Sequence, residues 1–212
     1  MKTGFAVDGK IIPCPLRTAN TIREIKITKT EQLANERYLL KKITYDYTKA
    51  DGTKKTQDRE IYDRGNAATI LLYNKEKRTV ILTKQFRLST FLNGNDSGML
   101  LEACAGLLDY DSPEATAIRE AEEETGYRVP EVKKIFDAYS SPGGLAELVS
   151  YFIAEYSQEM KVSLGGGVPE EEENIEVIEM DFDKAFQMLL NGELKDAKTV
   201  SLVQYLRLQG IL

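Results

Sequence analysis

Residues 105–127 read AGLLDYDSPEATAIREAEEETGY, and the second half of that stretch decides what surrounds it. Ser112-Pro113-Glu114 is a helix start: a hydroxyl at the N-cap, proline at the first helical position, an acid in the first turn. Thr125-Gly126 is a helix end, because Gly126 can take the left-handed cap conformation. The spacing predicts a helix over 113–125. On it Glu120, Glu123 and Glu124 stand at i, i+3 and i+4, so their carboxylates converge on one face. Two like charges ~4 Å apart repel by up to about 4 kcal/mol at an effective dielectric of 20. Runs of glutamate on a helix are most often solvated faces. Here the run is preceded by a glycine turn and Arg119 and followed by a capping glycine, a combination that argues for use. A divalent cation would remove the repulsion and gain oxygen ligands. Ala117, Ile118 and Ala121 supply an apolar stripe that anchors the helix on a core.

Composition narrows what such a site can do. The chain has 212 residues, enough for one substantial domain with a small appended one. Apolar residues make up 42% and charged residues 29%, which excludes global disorder. Lys plus Arg total 28 against 34 Asp plus Glu, a net charge of −6 that disfavours nucleic acid and anionic membranes as partners. No run of 18 apolar residues offers a membrane span, and the N-terminal segment has no apolar stretch with a small-residue cleavage site, so no signal peptide is expected. There is no histidine. That excludes Ser-His-Asp and Cys-His catalysis, histidine-held haem and His-ligated zinc or iron. Acid–base and metal chemistry falls to carboxylates, supported by Lys, Arg or Tyr. Carboxylate ligands favour Mg²⁺, with Mn²⁺ as an alternative. Two cysteines, Cys14 and Cys104, make no disulfide framework and fit a reducing cytoplasm.

Outward from the helix the patterning is strand-rich. Residues 1–20 read as a loosely structured or short-stranded lead-in. Residues 37–48 end in the alternation Ile43, Tyr45, Tyr47; Asp51-Gly52 is a turn signal and 54–63 resumes as a second strand. Residues 67–74 and 79–87 are β-rich runs around a polar turn. Residues 88–98 read as a polar loop and 99–108 as one apolar strand. Strands are expected at 133–139, 149–156 and 175–182, around a Ser-Pro-Gly-Gly turn and a mobile polar loop at 157–174. Helices close the chain at about 183–191 and 196–209. The order does not alternate β-α-β-α, so it fits an α+β fold or a sandwich-like mixed sheet with helices packed outside.

The segment 105–127 resembles the box of the Nudix hydrolases, G-x5-E-x7-R-E-U-x-E-E-x-G-U, where U is bulky and aliphatic. Arg119, Glu120, Ala121, Glu123, Glu124, Gly126 and Tyr127 carry the second half. The first half departs: four residues follow Gly106 in place of five, and Asp111 stands where glutamate is expected. EIYDRGNAATILLYN, KQFR, LLEACAGLLD, SSPGGLAE and GGGV are similar to the branch acting on nucleoside diphosphate sugars, most like GDP-mannose hydrolases, over residues 35–210.

The resemblance implies a Nudix fold at 65–212 and an N-terminal antiparallel β module at 1–64, swapped across a homodimer. It implies Mg²⁺ held by Glu120, Glu124, the Ala105 carbonyl and a loop glutamate, Glu173 or its neighbour Glu172, either of which is base or ligand. Glu123 orients Arg119 or binds a second metal. Arg87 is implied as a phosphate clamp, its planar fork matching phosphate oxygens. Tyr38, Arg59 and Glu60 fall on nucleotide-side positions, Tyr38 by stacking on the base and Glu60 by accepting from guanine; Glu147 and Lys198 fall on sugar or phosphate positions, and Ala105 and Gly106 on substrate-binding ones. The implied reaction is hydrolysis of GDP-mannose to GMP and mannose 1-phosphate. ADP-ribose hydrolysis is the alternative on the same machinery, and a non-catalytic ligand-sensing domain is the alternative of another class. Gly165–Gly167, lacking a following Lys-Ser/Thr, reads as flexible lid backbone.

Overall fold

The computed structural model describes residues 4–7, 10–13, 22–168 and 174–212. It divides into two compact units, Met1–Asp63 and Arg64–Leu212.

In the first unit, strands β1 (Gly4–Val7) and β2 (Lys10–Pro13) pair antiparallel. A separate three-stranded antiparallel sheet runs β3 (Ile22–Asn35), β4 (Leu39–Lys49), β5 (Lys54–Asp63). The β4–β5 hairpin turns at Asp51-Gly52: Gly52 has φ 88°, and the Asp51 carboxylate accepts from the Thr53 N–H at 2.9 Å. Strand β3 is an addition to the sequence reading. Its pairing with β4 slips at three places, Ile22/Glu24, Ile27/Lys29 and Gln32/Ala34, so the alternation at Ile25-Lys26-Ile27-Thr28 does not continue along the whole strand.

The second unit is built on β6 (Ala67–Asn74) and β7 (Thr79–Phe86). These pair with each other only at Leu72–Asn74 and then part. A short helix α1 (Leu88–Leu92) follows β7, where a loop was expected. Beyond the parting, β7 pairs with β8 (Met99–Glu102) and β6 with β9 (Cys104–Leu107). The single apolar strand expected over 99–108 is therefore two, broken at Ala103, because each half serves a different partner. Helix α2 (Pro113–Thr125) comes next, then β10 (Lys133–Tyr139) and β11 (Leu148–Glu155). Strand β12 (Glu176–Asp181) and helices α3 (Phe182–Leu190) and α4 (Ala197–Leu208) end the chain. The sheet order is β10-β11-β6-β7-β12; β11 lies parallel to β6 and the other pairs are antiparallel.

Both faces of this sheet are covered, and β6 shows why. All eight of its residues are buried. Ala68, Ile70 and Leu72 point into one apolar cluster with Ala117 and Ala121 of α2; Ala67, Leu71 and Tyr73 point into the other with Leu202, Val203 and Leu206 of α4. A strand buried on both faces loses alternation and reads as a continuous apolar run.

Candidate active site

Helix α2 begins as its residues dictate. The Ser112 hydroxyl accepts from the Ala115 N–H at 3.2 Å, Pro113 opens the helix, and Gly126 closes it at φ 79°. Ala117 and Ala121 face the sheet, which turns Glu120 toward β9. There the absence of a side chain at Gly106 matters: a Cβ on it would overlap the Glu120 carboxylate. Glu120 is thus seated against Gly106, the residue after Ala105 on β9.

Arg119 gathers the acids. It pairs with Glu120 at 2.8 Å and with Glu123 at 2.6 Å, and its Nε lies 3.8 Å from Asp111. Burial works against its charge, yet Glu120 and Glu123 outweigh that and hold the guanidinium above its ordinary pKa. Glu124 is the buried member of the set, 2% exposed.

Gly165–Gly167 are not slack. Their φ angles are 70°, 111° and 85°. Gly166 N–H donates to the Glu124 carbonyl at 2.9 Å and Gly167 N–H to the Glu123 carbonyl at 3.1 Å. These bonds satisfy carbonyls that the end of a helix leaves open. The segment expected as lid backbone is instead tied to the last turn of the acidic helix. Glu172 and Glu173 lie outside the described residues, as does Cys14.

Arg87 and Lys198, 111 residues apart in sequence, meet on Glu102. Arg87 Nε donates to Glu102 Oε2 at 2.6 Å; Lys198 Nζ stands 3.5 Å from Glu102 Oε1 and 2.7 Å from Asp196. Burial opposes the charge of Lys198, but Asp196 and Glu102 beside it raise its pKa above the usual lysine value. Glu147 is buried and bound by Arg64 at 2.6 Å and by the Ser140 hydroxyl at 2.5 Å. A pocket of about 460 Å³ lies beside Arg64, between residues 64–66 and 107–111.

Tyr38, Arg59 and Glu60 belong to the first unit. Tyr38 packs edge-on to Tyr62 at 5.8 Å. Arg59 and Glu60 are consecutive on β5, opposite Ile43 and Lys42, so they point to opposite faces of their sheet. Glu102, Asp196 and Arg64 went unnoticed in the sequence. Glu102 sits inside an apolar strand, and no local spacing signals the partners of any of the three.

Comparison with known proteins bears on this arrangement. The NUDIX domain model matches residues 63–203, and the model of the GDP-mannose pyrophosphatase NudK N-terminal domain matches 24–62. The chain belongs to the Nudix family. A protein named GDP-mannose pyrophosphatase from Escherichia coli O1:K1 / APEC is 50% identical over 190 residues, 90% of this chain and 98% of that one. One of the same name from Klebsiella pneumoniae subsp. pneumoniae is 50% identical over 188 residues, 89% and 94% of the two. A solved structure titled as an ADP compounds hydrolase shares the Nudix fold with a TM-score of 0.67 at 19% identity, covering 91% of this chain and all of that one.

The Nudix helix can be tested for its fit to a divalent cation. Among the described residues no group of three or more Asp, Glu or Cys is clustered for a metal. The donors at hand are the carboxylates of Glu120 and Glu124 and the backbone next to Gly106, all hard oxygens. The cradle at Gly106, which a Cβ would fill, holds Glu120 against that backbone. Such a set suits Mg²⁺ and no soft metal.

Proposed function

We propose that this Nudix chain hydrolyses the pyrophosphate bond of a nucleoside diphosphate sugar, converting GDP-mannose and water to GMP and mannose 1-phosphate. The observation that carries the reading is the seating of Glu120 against Gly106, in a chain half identical to enzymes named GDP-mannose pyrophosphatase.

Glu120, Glu124 and the Ala105 carbonyl would hold Mg²⁺, with Glu173 or Glu172 completing the set and Glu123 available to a second ion. Bound there, Mg²⁺ supplies charge neutralisation on the phosphates and a more acidic water. Arg119 keeps Glu120 and Glu123 in place between turnovers. Arg87 offers its planar guanidinium to phosphate oxygens, and Lys198 adds a second cation that binds the same phosphates. The attacking water's proton goes to a glutamate, Glu173 or Glu172, since the chain has no histidine. The water oxygen bonds to phosphorus, the bridging P–O bond breaks, and the products are two phosphate monoesters. Glu147, held by Arg64, lies on the sugar side.

Tyr38, Arg59 and Glu60 serve the nucleotide from the N-terminal unit, which we read as swapped across a homodimer. Ile22, Ile25, Ile27 and Leu33 of β3 are exposed there, an apolar surface suited to a second copy. No helix among the described residues is long and apolar enough to cross a membrane. Two cysteines in 212 residues make no disulfide framework, which suits a cytoplasmic enzyme.

The test is kcat/KM on GDP-mannose, GDP-glucose and ADP-ribose with Mg²⁺. GDP-mannose preferred at least about tenfold, or 1.4 kcal/mol of transition-state binding, supports the reading. Preference for ADP-ribose would overturn the substrate, and no turnover would favour a sensing domain.

A further inference from the structure

The buried acid Glu102 is 4% exposed, lies off the acidic helix and has no part in the chemistry above. It closes β8, where it pairs in register with Thr83 of β7, so its backbone belongs to the sheet. Its two oxygens take one cation each, Arg87 on Oε2 and Lys198 on Oε1. We propose that Glu102 is a positioning residue that assembles Arg87 and Lys198 into a single pyrophosphate clamp. This rests on the reading of the chain as a nucleotide-sugar pyrophosphohydrolase.

Three features support it. The first is the edge by which Arg87 is held. Glu102 engages Nε, and among the described residues no hydrogen bond or ion pair occupies the Nη1–Nη2 edge. That edge can take two oxygens of one phosphate side by side, and the side chain is 40% exposed to receive them.

The second is a ring of contacts. Lys198 passes from Glu102 to Asp196 at 2.7 Å. Asp196 caps α4, accepting from the Thr199 N–H at 2.9 Å and the Thr199 hydroxyl at 2.6 Å. That hydroxyl accepts in turn from the Ala103 N–H at 2.6 Å. Ala103 follows Glu102, so the ring closes through the backbone. It fixes the spacing of the two cations, and it ties both to the start of β9, whose Gly106 receives Glu120.

The third is charge. Two cations sharing one ligand repel each other. A carboxylate between them removes the repulsion and still leaves donors for phosphate, whereas a hydrophobic residue at 102 could not.

A carboxylate that merely staples β8 to α4 would have the same burial, so the test must read more than stability. It measures kcat and KM for GDP-mannose, and calorimetric affinity for inorganic pyrophosphate, in wild type, Glu102→Gln, Glu102→Asp, Arg87→Ala and the Arg87→Ala/Glu102→Gln double variant. Glu102→Gln should raise KM and weaken pyrophosphate binding about tenfold, with kcat changed by less than about threefold. Glu102→Asp, which keeps the charge, should restore most of the affinity. In the Arg87→Ala background Glu102→Gln should cost less than about twofold more, since the clamp is already broken. A Glu102→Gln protein that melts earlier but binds pyrophosphate like wild type would overturn the proposal, and so would a full additive loss in the double variant.

If Glu102→Gln does not fold, Thr199→Val opens the ring with every charge retained. It should weaken pyrophosphate binding about threefold, the loss of one positioned hydrogen bond; unchanged binding would overturn the proposal. The two readings also fail separately. Wild type that binds pyrophosphate through Glu102 yet hydrolyses no nucleotide sugar keeps the clamp and loses the substrate. Wild type that hydrolyses GDP-mannose, with Glu102→Gln binding and turning over as well, loses the clamp alone.

Discussion

The carboxylate of Glu120 lies where the side chain of residue 106 would be, and only glycine leaves that space. The acidic helix and strand β9 therefore fit together at one point, and the fit is chemical as much as structural. It brings the acid to Gly106, the residue after Ala105, whose carbonyl the proposed site uses.

Gly106→Ala should accordingly remove activity while sparing the fold. The new methyl meets the end of a flexible side chain, which can swing away. A displacement of this kind costs on the order of a hundredfold in kcat. Thermal unfolding should shift by less than about 4 °C, the equivalent of 1 kcal/mol in a domain of this size. Steady-state kinetics and a melting curve on the same preparation check it.

Arg119 holds two acids, Glu120 and Glu123, in its fork. Arg119→Ala should lower kcat/KM by about tenfold and raise the Mg²⁺ concentration for half-maximal rate, because both carboxylates lose their orientation. Arg119→Lys should rescue little, since a single ammonium cannot hold both acids in a fork. The side chain is one-third exposed, so stability should fall by no more than about 1 kcal/mol. A Mg²⁺ titration of activity is the measurement.

Gly165 has φ 70°, and a Cβ there would stand 2.6 Å from both the Glu124 carbonyl oxygen and the Thr125 carbonyl carbon. Neither is a mobile side-chain end. Gly165→Ala should destabilise by about 1–3 kcal/mol, lowering Tm by roughly 3 to 10 °C. Gly143, with open space around its Cα, is the control: Gly143→Ala should stay within about 0.5 kcal/mol. Differential scanning calorimetry compares the two.

The phenol of Tyr156 is buried, donates to Glu179 at 2.9 Å and shares a hydrogen bond with Thr79. Burial is the main reason its pKa is pushed far above the ordinary 10.0. In the unfolded chain the same group ionises near 10. Its stabilising contribution is whole below that pH and is lost as pH rises beyond it toward the folded value, at about 1.4 kcal/mol per pH unit. Tyr73, Tyr127 and Tyr151 are raised in the same direction, so the wild-type protein should melt progressively earlier above pH 10. Tyr156→Phe should flatten part of that slope and cost stability at neutral pH. Melting curves from pH 8 to pH 11 would show both.

What could be read in the sequence was what its signals carry locally. Ser112, Pro113 and Gly126 bound α2 at 113–125, as the structure has it, because caps and prolines act within one turn. Glu120, Glu123 and Glu124 fall on one helix by spacing alone. Strand β3 alternates only over Ile25-Lys26-Ile27-Thr28, too short a signal for 14 residues, and the break at Ala103 was hidden by an apolar run that serves two partners. Glu102 and the Arg64–Glu147 pair depend on contacts across the fold, 83 residues apart in the latter case. The three glycines at 165–167 carry no local mark of the carbonyls they bind; only their positive φ angles, seen in the fold, distinguish a tied segment from a loose one.

The central claim is that Glu120, seated at Gly106, and Glu124 on the same helix serve hydrolysis of a pyrophosphate bond at phosphorus. Mass spectrometry of the products of GDP-mannose in ¹⁸O-water, with Mg²⁺, tests it directly in wild type, Glu120→Gln and Glu124→Gln. The account predicts GMP and mannose 1-phosphate, one of them carrying ¹⁸O on its phosphate, and a loss of at least about a thousandfold in each variant, the scale of removing charge stabilisation at the reacting group. GDP with free mannose, or monoester products formed undiminished by both variants, would contradict it.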